Sequence, residues 1–251
     1  MKKTALITGA TAGIGRATAL KLSGMGYDVI VTGRRAERLE KLTLEIEGKG
    51  GSCRTLCFDI QSKDEVDKAM DSLGERLDNI DLLVNNAGLA ATAEPIQSGS
   101  WEDWERMIDT NIKGLLAVSK RVIPGMIKRC SGHIVNLSSI AGKEAYANGN
   151  VYCATKHAVE ALTKSMRIDL LQYGIKVSSI SPGMVETEFS IVRYHGDKDK
   201  ADAVYKGLTP LTAEDIADAI EFIVSRPPHV NINDILIMPT AQASAVYNHR
   251  S

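Results

Sequence analysis

Apolar, strand-like runs alternate along the whole chain with segments that have the period of a helix. Seven such runs occur in the sequence: Thr4 to Thr8, Asp28 to Thr32, Arg54 to Phe58, Leu82 to Asn85, His133 to Leu137, Lys176 to Ile180 and Ile235 to Met238. Strands that alternate with helices are typical of repeated β-α-β crossovers, which form a parallel sheet with helices on both faces. The pattern therefore predicts an α/β fold with a seven-stranded parallel sheet.

The segments between these runs place their apolar residues on one helical face. In the helix predicted over Ala36 to Gly48, the apolar positions are Leu39, Leu42 and Ile46. In the next segment they are Val66, Ala69, Met70 and Leu73. Faces of this kind pack against a sheet. Near the end of the chain, Thr212 followed by Asp215 resembles a weak capping box and predicts a further helix before the last strand.

No feature of the sequence divides the chain into separate units. It contains no internal repeat, no low-complexity tract and no linker rich in proline, glycine or serine. We therefore predict a single domain over residues 1–251. The one long connection, from Met184 to about Leu211, has a polar middle. Because long loops in compact domains often bind ligands, we expect it to be a lid over a substrate site.

The composition is that of an ordinary globular protein. Of the 251 residues, 44% are hydrophobic and 24% are charged, and 30 basic residues nearly balance 31 acidic ones. This balance leaves no basic face for nucleic acid or anionic lipid. No stretch approaches the ~18 apolar residues that cross a bilayer, and the short apolar start is interpreted as a strand rather than a secretion signal. We expect a cytoplasmic protein without nucleic-acid or membrane partners.

Cysteine and histidine are spaced in a way that does not favour a metal site. The cysteines form no CxxC pair, and the five histidines lack the spacing of metal ligands. We expect no metal, and free buried thiols at Cys53, Cys57, Cys130 and Cys153.

A glycine-rich loop, TGATAGIG, follows the first strand directly and opens a helix. It places Gly9, Gly13 and Gly15 where the backbone turns tightly and comes close to another group. Free amide hydrogens and the helix dipole attract anions at such a helix start, so a pyrophosphate fits. The alternative is that the glycines serve only the steric needs of a strand-to-helix turn. The loop predicts a dinucleotide-binding fold.

The end of the second strand reads VTGRR, where an NAD-binding fold usually carries an acidic residue. Gly33 leaves room there, and Arg34 and Arg35 supply permanently charged donors suited to a phosphate. This favours NADP over NAD. The alternative is that both arginines are solvated residues at the start of a helix.

Two further motifs fall at the carboxyl ends of strands, where ligands bind in open parallel sheets. The third strand ends in CFDI, and its Asp59 is expected to accept a hydrogen bond from the adenine amino group, unless it is an ordinary strand-end cap. The fourth strand ends in NNAG, Asn85 to Gly88, whose small residues are expected to line the cofactor.

Tyr152 and Lys156 lie four positions apart in a segment with helical period, so both side chains project from one face. An adjacent ammonium favours the phenolate and brings a tyrosine closer to useful acid-base chemistry. Taken alone, such a pair is more often an ordinary pair on the surface of a helix. A strand that runs into Ser138 and Ser139 shortly before this segment adds a hydroxyl that can bind a substrate oxygen.

In this order, TGATAGIG, NNAG, NLSS and YCATK closely resemble the short-chain dehydrogenase/reductase family, over essentially the whole chain. The resemblance implies a single-domain Rossmann fold that binds NADP. It implies that Tyr152 is the general acid/base, that Lys156 lowers its pKa and holds the nicotinamide ribose, and that Ser139 orients the reacting oxygen. It further implies that Asn111, in DTNIKG, holds a water in the proton relay, and that the protein is a homotetramer or a dimer. The helices expected at that interface contain Trp104 to Val118 and Tyr152 to Leu170.

The resemblance also implies the residues that contact the cofactor, including SPGMVET, where Pro182 and Gly183 pass the nicotinamide and Thr187 reaches its carboxamide. The expected set is Gly9, Thr11, Gly13, Ile14, Gly15, Arg34, Arg35, Asp59, Ile60, Asn86, Ala87, Gly88, Tyr152, Lys156, Pro182, Gly183, Val185 and Thr187.

The segments IDTNIKG, TEFSIVRYHGD and PHVNIND resemble the branch of NADP-dependent 3-hydroxy acid dehydrogenases, which includes serine 3-dehydrogenase. The resemblance implies a small 3-hydroxy acid substrate, such as L-serine or 3-hydroxypropionate, or the matching semialdehyde or ketone. Arg193 is expected to pair with its carboxylate, unless it is a solvated loop arginine. Ser139, Tyr146, Met184 and Phe189 are further candidates for the substrate pocket. The alternatives are a carbonyl reductase of neutral ketones or aldehydes and a non-catalytic NADP-binding protein.

Overall fold

The computed structural model of the chain describes residues 2–251. All seven strands join one parallel sheet in the order β3-β2-β1-β4-β5-β6-β7. The strands are β1 (Thr4–Ile7), β2 (Asp28–Gly33), β3 (Ser52–Cys57), β4 (Leu82–Asn85), β5 (Gly132–Leu137), β6 (Ile175–Pro182) and β7 (Asp234–Ile237). This is the predicted Rossmann fold class, and it is confirmed.

The helices cover both faces of the sheet. They are α1 (Gly13–Gly24), α2 (Ala36–Gly48), α3 (Lys63–Asp71), α4 (Trp101–Ile108), α5 (Leu115–Arg129), α6 (Asn150–Asp169), α7 (Phe189–Arg193), α8 (Lys198–Ala203) and α9 (Ala213–Val224). No helix within residues 2–251 is long and apolar enough to cross a membrane.

The five inner strands bury side chains on both faces, because successive residues of a strand point to opposite sides, whereas the edge strands β3 and β7 are partly exposed. In β1, Ala5 and Ile7 pack into a core with α1, α2 and α9. Leu6, between them, packs into a second core with α3, α5 and α6. The α2 face predicted from Leu39, Leu42 and Ile46 is buried as expected.

Several element boundaries differ from those predicted. Strand β3 begins two residues earlier than expected, at Ser52, and β6 extends to Pro182, which pairs with Ile237. The helix expected over Trp104 to Val118 is interrupted by a π-helical turn at Asp109–Gly114. At Gly114 the backbone comes so near Ile60 that an added Cβ would lie 2.8 Å from Ile60 Cγ1. Long-range packing of this kind has no signature in the local pattern.

The four cysteines are free, but the expectation that all of them are buried is wrong: Cys153 is buried, Cys53 is half-buried and the other two are exposed. Cys57 and Cys130 are exposed, because Cys57 ends the edge strand β3 and Cys130 has the left-handed conformation just beyond α5. Cys153 is buried in α6.

The connection from Met184 to Leu211 contains α7 and α8 and closes on itself at its base. Leu211 N–H donates to the Met184 carbonyl at 2.9 Å, and Glu186 N–H donates to the Leu211 carbonyl at 2.8 Å. We name residues 184–211 the 184–211 segment. Its two ends are thereby fixed at the edge of the sheet, while α7 and α8 project from it.

The predicted capping box at Thr212 is present at the start of α9. Asp215 N–H donates to Thr212 Oγ1, and Thr212 N–H donates to Asp215 Oδ2. We expect Thr212→Ala to lower the free energy of unfolding by about 1 kcal/mol, because a backbone amide at the helix start loses its acceptor. Urea unfolding measures the change. Thr212→Ser, which keeps the hydroxyl, should stay close to the unsubstituted protein, and an equal loss in both variants would contradict the assignment.

Candidate active site

A cavity of about 370 Å³ opens at the carboxyl ends of the strands, beside the point where β4 pairs with β1. In a parallel sheet this is the position at which the chain changes direction and helices on the two faces diverge, which leaves a crevice for a ligand. All of the predicted cofactor residues line the cavity except Gly15, and Ser139 lies in its wall as well.

The glycine loop forms one wall of this cavity in a backbone conformation that favours glycine. Gly9 and Gly13 have φ of +68° and +52°. A Cβ on Gly9 would lie 2.8 Å from Ala87 Cα, so the loop after β1 packs directly against the loop after β4. Gly15 also permits this packing, because a Cβ at this position would lie 2.5 Å from Asn86 Nδ2.

Hydrogen bonds hold the same two loops together. Thr8 Oγ1 accepts from the backbone N–H groups of Asn86 and Ala87, each at 3.0 Å. The Asn86 side-chain amide donates to the carbonyls of Thr8 and Gly9 at 2.8 and 3.1 Å. The NNAG segment therefore fixes the shape of the glycine loop in addition to lining the cavity.

The two arginines after β2 diverge around the rim of the cavity. Arg34 Nη1 lies 3.4 Å from Asp59 Oδ2, on the side of β3. Arg35 turns the other way, and its Nε and Nη2 donate to Thr11 Oγ1 at 3.2 and 2.7 Å. Gly33 leaves the space for Thr11, because a Cβ there would lie 2.5 Å from Thr11 Cγ2.

Tyr152 and Lys156 face the cavity from α6 and are both buried. Lys156 Nζ donates to the Leu137 carbonyl at 2.9 Å and lies 6.0 Å from the centre of the Tyr152 ring. Burial lowers the pKa of Lys156 to about 8, against the raising influence of Glu160 one turn along the helix. The Lys156 ammonium therefore loses its proton at a lower pH than an ordinary lysine.

Burial raises the pKa of Tyr152 above its ordinary value, and the neighbouring Tyr146 adds to the effect. The Ser139 hydroxyl and the positive charge of Arg193 both act to lower it. Ser139 Oγ also accepts from Ala141 N–H at 3.1 Å, which orients the hydroxyl at the start of a short turn. Burial and Tyr146 therefore favour the neutral phenol, while Ser139 and Arg193 favour the phenolate.

Asn111 lies behind the cavity wall, inside the π-helical turn. Its side-chain oxygen accepts from Leu89 N–H at 2.9 Å, and its amide donates to the Leu89 carbonyl and to Thr155 Oγ1 at 2.9 and 3.0 Å. Gly88 separates it from the lysine: a Cβ on Gly88 would lie 3.3 Å from Asn111 Oδ1 and 3.4 Å from Lys156 Nζ. The asparagine side chain is therefore occupied by the protein.

The substrate candidates Tyr146, Met184 and Arg193 lie just outside this wall. The Arg193 guanidinium lies 5.9 Å from the ring centres of both Tyr146 and Tyr152. Phe189 lines the cavity, and its ring centre lies 5.9 Å from that of Tyr152. Met184 is placed differently, because its backbone N–H donates to Gln242 Oε1 at 2.8 Å near the C-terminal segment.

Some residues of the site were not found by sequence reasoning. Arg38 lies in α2, one turn after Arg35 and outside the cavity wall, and Glu188 lines the cavity just before α7. Glu188 forms ion pairs with both arginines. The three-residue spacing from Arg35 could have indicated Arg38. Glu188 could be found only from the three-dimensional fold, because it is 150 positions from Arg38 in the sequence. Further residues of the wall are Ala12, Thr32, Phe58, Gln61, Leu89, Thr110, Leu137, Ser138 and Val192.

The fold and this site define an oxidoreductase of the dinucleotide-binding α/β class. Over residues 3–197 the chain matches the family model for short chain dehydrogenases. It is 45% identical over 245 residues to a serine 3-dehydrogenase of Agrobacterium fabrum, which covers 98% of this chain and 97% of that relative. It is 44% identical over 247 residues to the NADP-dependent 3-hydroxy acid dehydrogenase YdfG of Escherichia coli K12, which covers 98% of each.

A solved structure described as the closed form of serine dehydrogenase complexed with NADP+ superposes with a TM-score of 0.93 at 44% identity. The match covers 99% of this chain and 100% of that one. The chain therefore belongs to the short-chain dehydrogenase/reductase family, and the resemblance inferred from its motifs is confirmed.

The close approach of the two loops predicts a larger cost at Gly9 than at a glycine with space around it. Gly26 is the matched control, because it also has positive φ, +89°, but a Cβ there would meet no atom within 4 Å. We expect Gly26→Ala to cost about 1 kcal/mol of unfolding free energy from backbone strain. Gly9→Ala should cost about 1–3 kcal/mol more, from overpacking.

Urea unfolding of both variants measures the difference between the two costs. Equal destabilisation would mean that the glycine loop moves away from Ala87 at no cost, so that the close approach does not restrict the residue at position 9.

Proposed function

We propose that the protein is an NADP-dependent oxidoreductase that transfers a hydride between the nicotinamide and a small 3-hydroxy acid, such as L-serine or 3-hydroxypropionate, or the matching semialdehyde or ketone. The observation that carries the proposal is the buried Tyr152 and Lys156 pair, which faces a glycine-lined cavity with the Arg193 guanidinium beside it. The names of the relatives support the same reaction class.

The cavity suits a dinucleotide phosphate at its rim and a flat ring at its inner end. Gly9 and Gly13 leave the loop backbone uncovered at the start of α1, where amide hydrogens attract anions. Arg34 and Arg35 at the rim are the residues that would hold a 2′-phosphate, and Pro182, Gly183, Val185 and Thr187 would enclose the nicotinamide end. When bound, NADP supplies or accepts the hydride.

Proton transfer is assigned to Tyr152. As a phenol it donates to the substrate oxygen during carbonyl reduction, and as a phenolate it takes the hydroxyl proton during alcohol oxidation. The Lys156 ammonium favours the phenolate, and the Ser139 hydroxyl orients the substrate oxygen. Asn111 is assigned to hold a water in the proton relay to Lys156, and by fixing Leu89 and Thr155 it also supports the loop and helix that flank the lysine.

Arg193 is the group we assign to the substrate carboxylate. Its Nε is buried and has no hydrogen-bond partner within residues 2–251, so this donor keeps an unused hydrogen bond beside the Tyr152 ring. We assign the 184–211 segment as the lid of a single catalytic domain, because it carries Phe189 and Arg193 to the tyrosine. Tyr146, which flanks Arg193, completes this side of the pocket.

We further propose a homotetramer, with a dimer as the alternative, and a cytoplasmic location. Large apolar side chains are exposed on the helices assigned to the interface: Trp101, Ile108, Leu116 and Ile168. A subunit contact through these helices would bury these side chains. Sedimentation velocity distinguishes the assemblies, and a monomer at micromolar concentration would contradict both.

Initial rates with NADP and NAD test the proposed reaction. The panel holds L-serine, D-serine, 3-hydroxypropionate, 3-hydroxyisobutyrate, 3-hydroxybutyrate and neutral alcohols, with the matching carbonyl compounds in the reverse direction. We expect a preference for 3-hydroxy acids with NADP. Activity confined to neutral alcohols would replace the substrate assignment with a general carbonyl reductase, and tight NADPH binding without turnover would favour a binding protein.

The buried lysine predicts the pH dependence. We expect kcat/KM for alcohol oxidation to rise through about pH 8 and then level off, because the coupled Tyr152 and Lys156 pair must lose one proton before it accepts another. Carbonyl reduction, which needs the fully protonated pair, should fall over the same range.

Initial rates between about pH 6 and pH 10 measure both profiles. Lys156→Met should move the oxidation limb to higher pH, because the phenolate loses its ammonium. A level profile in the unsubstituted enzyme would contradict the assignment of the pair.

The carboxylate assignment predicts a selective effect of Arg193. We expect Arg193→Ala to raise KM for a 3-hydroxy acid on the order of 10- to 100-fold, the range of a lost charge-assisted hydrogen bond. The KM for a neutral alcohol should change far less. Arg193→Lys, which keeps the charge, should recover part of the loss, and equal changes for both substrates would remove the assignment.

A further inference from the structure

The carboxylate of Glu188, in the 184–211 segment, lies at the rim of the cavity and contacts Arg35, at the N-cap of α2, and Arg38, within α2. Glu188 Oε2 accepts from Arg35 Nη1 at 2.8 Å, and both of its oxygens accept from Arg38 Nη1, at 2.6 and 2.7 Å. Arg35 is meanwhile held by Thr11 of the glycine loop. Four side chains from three separate parts of the chain thus meet at one point.

The cluster has two positive charges, on Arg35 and Arg38, and one negative charge, on Glu188, so it attracts anions. Partial burial opposes ionisation of Glu188, but the hydrogen bonds from Arg38 and Arg35 outweigh it and hold the pKa of this carboxyl below its ordinary value. Two guanidinium groups that converge on one carboxylate present the donor arrangement that also suits a phosphate. The carboxylate therefore stands where a second anion would compete for the same donors.

We propose that Glu188 limits the preference for NADP over NAD by competing with the 2′-phosphate of the dinucleotide for Arg35 and Arg38. This rests on the proposed use of NADP and extends it, because it makes Arg38 a phosphate ligand and Glu188 its internal competitor. A phosphate that replaces the carboxylate releases the residue next to Phe189, whose ring packs on that of Tyr152. Binding of the phosphate at Arg35 and Arg38 then affects the position of Phe189 beside the catalytic tyrosine.

Equilibrium binding tests the competition without turnover. Dissociation constants of 2′-AMP, NADPH and NADH are measured by isothermal titration calorimetry for the unsubstituted protein and for Glu188→Gln. We expect the variant to bind 2′-AMP and NADPH about two- to fivefold more tightly, the range that an exposed ion pair contributes, while NADH binding is unchanged. The gain should shrink as salt rises, because both partners lie near the surface.

Two further variants separate competition from a general change of surface charge. Glu186→Gln removes the same charge two positions earlier, from an exposed side chain, and should bind all three ligands as the unsubstituted protein does. In an Arg38→Gln background, Glu188→Gln should give less of its gain, because one of the contested arginines is gone.

Each result bears on the proposal. Equal or weaker NADPH binding by Glu188→Gln, in a protein that prefers NADPH to NADH, would overturn the competition and leave the proposed function intact. The same gain for NADH as for NADPH, or the same gain from Glu186→Gln, would also overturn it. An unsubstituted protein that binds NADH as tightly as NADPH would overturn the inference together with the NADP assignment.

Discussion

The pairing of β4 with β1 is the constraint on which the other features of the site depend. Strand β3 lies on the side of β2 away from β1. After β3 the chain must therefore cross back over β2 and β1 to begin β4 beside β1. The two loops that follow these neighbouring strands then leave the same edge of the sheet. Thr8 and Asn86 join them by hydrogen bonds, and Gly9 permits their contact. Without this pairing there is no crevice, and neither the glycine loop nor α6 has a cavity to face.

A second level of organisation concerns charge in the interior. Lys156 is buried and directed at the Leu137 carbonyl, so it stands at a fixed distance from Tyr152. One turn along α6, Glu160 accepts from Lys143 at 2.8 Å and from Ser181 Oγ at 2.9 Å. This pair ties the turn after Ser139 to the helix of the catalytic pair. Glu160 and Lys143 form an ion pair that offsets part of the cost of burial, whereas Lys156 has only a carbonyl acceptor and its burial is expressed in a lowered pKa.

The 184–211 segment is held at several points rather than hinged freely. Glu188 attaches its beginning to α2, and His195 Nε2 lies 3.0 Å from the buried Asp103 Oδ2 of α4. Near its end, Arg250 donates to the carbonyls of Val204 and Lys206. These contacts are polar and mostly at the surface, so each contributes little energy alone.

The sequence by itself determined the order of strands and helices, the glycine loop and the placing of Tyr152 and Lys156 on one helical face. These features depend on local periodicity and on backbone conformations that few residues adopt, so they can be inferred from neighbours in the chain. The tertiary structure decided the π-helical turn at Asn111, the burial that lowers the pKa of Lys156, and the meeting of Glu188 with Arg35 and Arg38. Each of these depends on contacts between segments far apart in sequence, where packing and local charge rather than propensity decide the outcome.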